Sequence, residues 1–538
     1  MAVTIDGTTG IGAPAATLST PLAVASGGTN ASSTPTAGGV GYGTGTAHAY
    51  SAAGTSGQFL TSSGTGAPTW SSLSPTGSLT AVASGSLSTG QTVVLNTDGT
   101  VTAVTGTVGA VGTPVQFVSL NGNFTGTVYD VGSGTIVVAY VDNTGGRSFV
   151  AAGTVSGNSI TFGTPVDFGT NSGVPYSLTS DASNSKVVIA YTQGANANAI
   201  VCSISGTTIT KGTAVTYSAT SANGVSVVSV GSGKVVTFIG ASNATNFYVG
   251  TISGTSISFG TASSTLSSNN YCGPRALAYD TVNSKVVCTY TKNDNTANSI
   301  VGTVSGTTIS LGTPVQIQTS STIQYAPASS ASVYDVNSGK MVVGFSLYGI
   351  STTIAVGTVS GGTISFGVPA TLPSGGCIYL NPSYDSANSR IIFTYDASSS
   401  VVYCFGYVSG STISFTSPVL LASTGAVYNY SSGAYDSVNT KLVATYSNAS
   451  GTDYAVVAQT EFSNIATKPF VGFSAGAYSG GATATINSVG SADSNQTGLS
   501  VGKAQYVQAN GSLGVTPAVT ATVFAGTSLS ATKILVKG

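Results

Sequence analysis

A pattern that returns about every fifty residues constrains this chain more than any other feature. Its clearest copy is Tyr279–Val315, YDTVNSKVVCTYTKNDNTANSIVGTVSGTTISLGTPV. One aromatic position recurs at Tyr140, Tyr191, Phe238, Tyr290, Phe345, Tyr395 and Tyr446, at intervals of 51, 47, 52, 55, 50 and 51 residues, which defines seven units. Within a unit, apolar residues alternate with Ser and Thr, the period of a strand and not of a helix. In the copy above, the predicted strands are Ala276–Asp280, Lys285–Lys292, Ser299–Ser305 and Thr307–Ile317. A TVNS turn, an Asn/Asp loop and a Ser-Gly turn join them. Four short antiparallel strands at this period predict a β-propeller. The last unit lacks a TISFGTPV after Tyr454–Thr460, and the matching piece, GAVGTPVQF (Gly109–Phe117), precedes the first unit. A ring closed by that early strand removes the edges that an open array leaves exposed. The expected fold class is therefore all-β: a seven-bladed β-propeller over residues 106–463, closed by strand 109–117.

The flanks differ. Residues 1–75 are rich in Gly, Ser and Thr. Glycine loses the most backbone entropy on ordering, so this stretch is not expected to form a compact core alone, and it reads as a shaft or attachment segment. Residues 76–105 read as a connecting hairpin, with β-branched runs on both sides of Asp98-Gly99. Residues 464–538 break the repeat and read as a small C-terminal β domain.

Composition narrows the function. Charged residues make up 5% of the chain and the net charge is −1, which excludes an electrostatic footprint for nucleic acid or an anionic membrane. Mean hydropathy is +0.31, so low charge does not signal disorder here. The expected surface is neutral and coated with hydroxyls. The start, MAVTIDGTTGIGAP, lacks the basic and apolar regions of a secretory signal, and no apolar run is long enough to span a membrane. Cys202, Cys272, Cys288, Cys377 and Cys404 form no CxxC pair and are expected as reduced, small hydrophobes.

The few charges test for catalysis. Asp181, Asp280, Asp335, Asp385 and Asp436 each precede a base by five residues: Lys186, Lys285, Lys340, Arg390 and Lys441. In the first unit Asp130 keeps the place and Thr135 replaces the base. This is turn chemistry between first and second strands, with Asp capping the turn and the base reaching back across the hairpin. D-x-x-N also resembles an oxygen-rich cation loop, but it lacks the clustered carboxylates of a calcium site, so neither metal nor cofactor is expected. The only histidine, His48, lies in the N-terminal region, which excludes a Ser-His-Asp triad within the repeats. Glu461 is the only glutamate, and no motif marks a carboxylate pair, so the chain is not expected to be an enzyme.

The remaining polar and aromatic residues concentrate in connections. Asp142, Asp294, Asp396 and Asp453 fall between second and third strands; Phe124, Tyr176, Tyr271, Arg275, Tyr325, Tyr379 and Tyr430 fall between units. In a propeller these two sets share a face. Rings that stack on sugars, beside carboxylates that accept from hydroxyls, suit a carbohydrate site. The same aromatics could instead fill the central channel.

The opening MAVTIDGTTGI, then PLAVASGGTN and GVGYGTGTAHAYSAAGTSGQFLTSSGTGAPTW, resembles the N-terminal and shaft segments of tailed-bacteriophage tail fibre proteins, especially from phages of marine bacteria and cyanobacteria. FVGFS (Phe470–Ser474), GLSVG followed by QYVQANGSL, and the final AGTSLSATKILVKG resemble a small β domain near the C-termini of such proteins. The resemblance implies a virion appendage, assembled in the host cytoplasm and displayed outside. It also implies attachment to other virion proteins through the N-terminal segment, commonly as a homotrimer. The expected function is host-surface adhesion, with surface polysaccharide as first ligand. The alternatives are a virion decoration or connector without a host ligand, and a polysaccharide depolymerase.

Overall fold

In the computed structural model the described residues are 28–537, preceded by Thr20 and Ala23. Within that range 33, 57, 73–76, 108, 119–121, 171–176, 221, 242–244, 264–265, 267–269, 293, 295, 320–329, 348–350, 374–376, 378, 425–430, 461, 467 and 518–521 are not described. The chain divides into two compact units, residues 1–90 with 471–502 and 526–538, and residues 91–470 with 503–525.

The larger unit is built from the repeat. The copy that begins at Tyr279 forms strands Leu277–Asp280, Lys285–Lys292 and Thr296–Ser305, followed by an outer strand in two pieces, Thr308–Leu311 and Val315–Thr319. The boundaries agree with the expectation to within two residues, apart from two larger differences. The third strand starts at Thr296 and not Ser299, because Asp294 closes the loop tightly: its carboxylate accepts from the Thr296 backbone N–H (3.1 Å) and hydroxyl (2.6 Å). The fourth strand breaks at Gly312–Pro314, where the repeat carries its GTP.

Among the described residues, seven antiparallel sheets of this kind follow one another between Ala110 and Gln459. The outer strand of the last is supplied by Ala110–Val111 and Val115–Val118, which pair with Asp453–Gln459. Each sheet shares a hydrophobic core with the next. Val137, Ile189 and Ile200 join the first two, and Val402, Val356 and Ile391 join the fifth and sixth. The last and first sheets share one as well, through Val118, Val443 and Val457 with Ile136 and Val138. This is a β-propeller.

Burial on two sides corrects the expected picture of half-buried strands. In Lys285–Lys292 every residue between the two lysines is buried, because a neighbouring sheet covers each face. Many hydroxyls expected on the surface are therefore interior and bonded to each other: Thr289 to Ser299 (2.8 Å), Ser332 to Thr289 (3.0 Å), and Thr127 to Thr445 (2.7 Å). Buried hydroxyls persist when paired in this way. Only the outer strands alternate between buried and exposed, as in Thr308–Leu311. All five cysteines are free and buried, and burial pushes the Cys202, Cys272, Cys377 and Cys404 thiols up to about 12.

The recurring glycine of the broken outer strand is a packing residue. A Cβ on Gly112, Gly212, Gly260, Gly312 or Gly367 would stand 1.8–2.0 Å from a carbonyl oxygen in the outer hairpin turn of the next sheet (Asn158, Thr255, Thr307, Gly362 and Ser411 respectively). The sixth sheet has Thr416 instead. Its neighbour is the last sheet, whose outer strand comes from residues 110–118, so no hairpin turn lies there. The exception follows the geometry.

The first-to-second-strand turns use Asp as expected. Asp280 accepts from the backbone of Val282 (3.0 Å) and Asn283 (2.9 Å) and from the Asn283 side chain (2.8 Å); Asp436 does the same with Val438 and Asn439. The bases depart from expectation. Only Arg390 reaches back to its Asp, at 2.8 Å from Asp385. Lys186, Lys285 and Lys340 instead donate to hydroxyls of the third strand, Ser203, Thr303 and Thr358. A lysine directly opposite a buried, already satisfied carboxylate keeps its ammonium nearer water this way.

In the other unit, hairpins form from Gly41–Gly43 with His48–Tyr50 and from Gln58–Thr61 with Thr69–Ser72. The Trp70 indole N–H donates to the Ala52 carbonyl at 2.7 Å. Ser78–Val82 pairs with Thr483–Asn487, and Ala492–Asp493 pairs with Ile534–Val536.

Two stability outcomes follow from these turns and contacts. Gly312→Ala is expected to lower stability by about 2 kcal/mol, as overpacking against fixed backbone does. Denaturant unfolding checks this, with Thr416→Ala as a control that stays near wild type. Thr440 sits at φ +53°, a left-handed conformation disfavoured for a β-branched residue. Thr440→Gly is expected to raise stability by about 1 kcal/mol in the same assay.

Candidate functional site

In each sheet the first strand faces the ring centre. The chain entering the fourth sheet inserts Pro274-Arg275 there. The Pro274 carbonyl accepts from Ser177 (2.5 Å) and Ser226 (3.3 Å), on the second and third sheets. The Arg275 carbonyl accepts from the Ser332 N–H of the fifth sheet at 2.7 Å. The Arg275 guanidinium donates across the channel to the carbonyls of Thr127 and Gly433 (3.3 Å to the latter), on the first and last sheets. The Ser432 hydroxyl lies at 3.5 Å. One dipeptide thus bonds to five sheets and blocks the channel part-way along.

Beyond this plug lies a cavity of about 400 Å³. All seven first strands contribute to its wall, from Pro274 and Arg275 to Tyr129, Tyr279, Tyr334, Tyr384 and Tyr435. Tyr279 and Tyr384 are half-buried, as are Val128, Val228, Val333 and Ser383. The tyrosines belong to a Tyr-Asp pair that ends five of the seven first strands. They reach sideways: Tyr129, Tyr334 and Tyr435 lie beside Asp436, Asp280 and Asp385 of the preceding sheet, and the Tyr384 hydroxyl accepts from the Asn337 N–H at 3.2 Å. Where the second sheet has Ser180, its hydroxyl donates to Asp130 at 2.7 Å. Burial and then the neighbouring carboxylate raise the Tyr129 and Tyr334 phenols above their ordinary range.

This cavity was missed in the sequence because the Asp of the Tyr-Asp pair reads as turn chemistry and its Tyr as an ordinary strand residue. The signal was present: once the first strand is assigned to the channel, the residue before its terminal Asp belongs to the channel wall.

The residues singled out from sequence occupy several environments. Tyr176, Tyr325 and Tyr430 lie outside the described residues, as does Glu461, and the Phe124 side chain is not described. Tyr271 and Tyr379 are half-buried; the Tyr379 backbone N–H donates to Asp396 at 2.7 Å. Asp142 caps its own loop through Thr144 (2.9 Å), and Asp294 closes its loop as above. Among the described members of the set, Arg275 is the one that lines the cavity. Among the described residues no three His, Cys, Asp or Glu side chains come together to hold a metal ion.

Asp453 stands apart. It is fully buried, with one oxygen 2.5 Å from the Ser447 hydroxyl and the other without a partner among the described residues. Burial raises its carboxyl from the ordinary 3.8 to about 7. Its backbone faces Val118, at the end of the early strand that completes the last sheet.

No family model matches the chain, and no curated protein does. Solved structures similar to it include a mutant of the Aleuria aurantia lectin in complex with Fucα1-6GlcNAc, at 12% identity, TM-score 0.37, covering 57% of this chain and 98% of that one. They also include the Dos1 propeller, at 11% identity, TM-score 0.40 and 69% and 81% coverage. A protein from Lactobacillus plantarum is similar at 12% identity, TM-score 0.39 and 61% and 89% coverage. At these scores the assignment of the fold rests on the sheet order and shared cores above.

A pH dependence follows from Asp453. The folded chain holds its proton up to about pH 7, whereas the unfolded chain releases it near pH 4. The proton-linked stability is complete below pH 4 and is lost as pH rises towards 7. In denaturant unfolding across pH 4–8, Asp453→Asn is expected to flatten that decline.

Proposed function

We propose that this chain is a tailed-phage fibre or appendage protein whose propeller, a closed ring of seven blades, holds a host-surface glycan and does not turn it over. The cavity carries this reading. Its volume of about 400 Å³ falls within the range of about 300–1,000 Å³ usual for small-molecule sites. Its wall combines phenol rings with serine hydroxyls and backbone polar groups, a mixture suited to the apolar faces and hydroxyl edges of a sugar. The register of Val115–Val118 on Asp453–Ala455 supports ring closure. The resemblance of the two terminal segments to phage fibre proteins supports the virion setting, with the N-terminal segment as mount. In that setting one shallow site per chain suffices, because trimerisation and copy number multiply weak contacts.

The test is direct binding of the purified full chain to an array of bacterial surface polysaccharides, together with immunogold labelling of virions. Binding that Tyr279→Ala weakens roughly tenfold, the loss expected for one aromatic contact, supports the site. Absence of binding to every glycan, or label on the capsid and not on a tail appendage, would sink the proposal.

A further inference from the structure

Among the described residues, the cavity carries one full charge on its wall and no opposite one. Its wall includes a single ionisable cation, Arg275, and no carboxylate. The guanidinium bonds only to neutral oxygens: the Thr127 and Gly433 carbonyls and the Ser432 hydroxyl. Among the described residues Arg275 makes no ion pair, in contrast to Arg390, which is paired with Asp385, and Arg147, which is paired with Asp167. Burial lowers its affinity for the proton, to about 10, and no neighbouring charge acts on it.

This is an unusual place for a cation. A half-buried guanidinium without a counter-charge is costly, and proteins ordinarily pair it. The turn carboxylates Asp130, Asp280, Asp335, Asp385 and Asp436 do not serve, because each is engaged by its own turn. These three contacts use one terminal nitrogen of a group that offers five N–H donors in a fork matched to carboxylate. The segment is also held in place before any ligand arrives, by the bonds from Pro274 and Arg275 to Ser177, Ser226 and Ser332. A donor fixed in advance loses little entropy on binding.

From this geometry we infer that the cavity selects an acidic sugar, with the carboxylate of a uronate-type residue seated on Arg275 and the sugar ring against the tyrosine wall. The inference rests on the glycan-binding reading and adds the ligand class. Arg275 has two roles in it: it ties the fourth blade to the first and last, and it supplies the missing partner for an anion.

The experiment compares one acidic oligosaccharide, an oligogalacturonate, with the same oligosaccharide after reduction of its carboxyl groups to alcohols. Titration calorimetry on the full chain measures both. The expected result is at least tenfold tighter binding of the acidic form at low salt, with the difference shrinking as salt rises. Arg275→Gln should bring the two forms within twofold of each other, and Arg275→Lys should keep part of the preference. Because Arg275 also ties the ring, a second variant leaves it untouched: Ser383→Trp fills the cavity and should abolish binding while thermal unfolding stays cooperative. If wild type binds both forms equally, the inference falls and glycan binding stands. If the preference survives in Arg275→Gln, another group reads the charge and the inference falls. If neither form binds, the inference falls, and glycan binding is decided by the polysaccharide array.

Discussion

The structure depends on burial of each sheet from both sides. In the repeated sheet the second and third strands are covered by neighbours on left and right, and only the outer strand has a solvent side. A lone unit of this kind could not fold, because half of its apolar surface would stay in water. The stabilising term lies between sheets as much as within them, and it requires that the last sheet meet the first. The shared core of Val118, Val443 and Val457 with Ile136 and Val138 meets that requirement.

Tight sheet-on-sheet packing explains the smaller regularities. The outer strand carries glycine where the next turn presses on its backbone, and threonine at the one place where no turn lies. At the inner rim, Tyr or Ser of one sheet meets the Asp of the preceding one. Each Asp is bound by its own turn, and Asp130 also accepts from the Ser180 hydroxyl of the next sheet, which accounts for its recurrence as turn chemistry. The same packing keeps Ser and Thr inside, where they bond to each other.

The channel obeys a different rule. The inner strands leave a central space too wide for their side chains to fill. Part of it is occupied by a segment from one connection only, Pro274-Arg275, which breaks the symmetry of the repeat. The asymmetry produces a cavity on one side of the plug, with a wall of repeated residues and one unrepeated cation. Function in a repeat protein is expected at such a break, since the repeated positions are already committed to packing.

Much of the fold was legible in the amino-acid order, because strand period, turn residues and the fifty-residue spacing are local and recur often enough to be read against one another. Lys285–Lys292 and the Asp-capped turns could be placed from the repeat alone. The site was far less legible. Asp142 and Asp294, candidates for ligand contact, also close their own loops, because a carboxylate two residues before a free N–H can bond to it locally. Tyr129, Tyr334 and Tyr435 were not singled out and line a cavity, because the sheet beside each lies far away in the chain, at Asp436 in the case of Tyr129. Arg275 stood out as a rare charge, but its direction could not be read: its partners, Thr127 and Gly433, lie 148 and 158 residues distant. By itself the sequence determined the repeated four-stranded unit, whose causes are short-range. The tertiary structure alone decided which residues meet at the ring centre, since closure brings together strands that no local pattern relates.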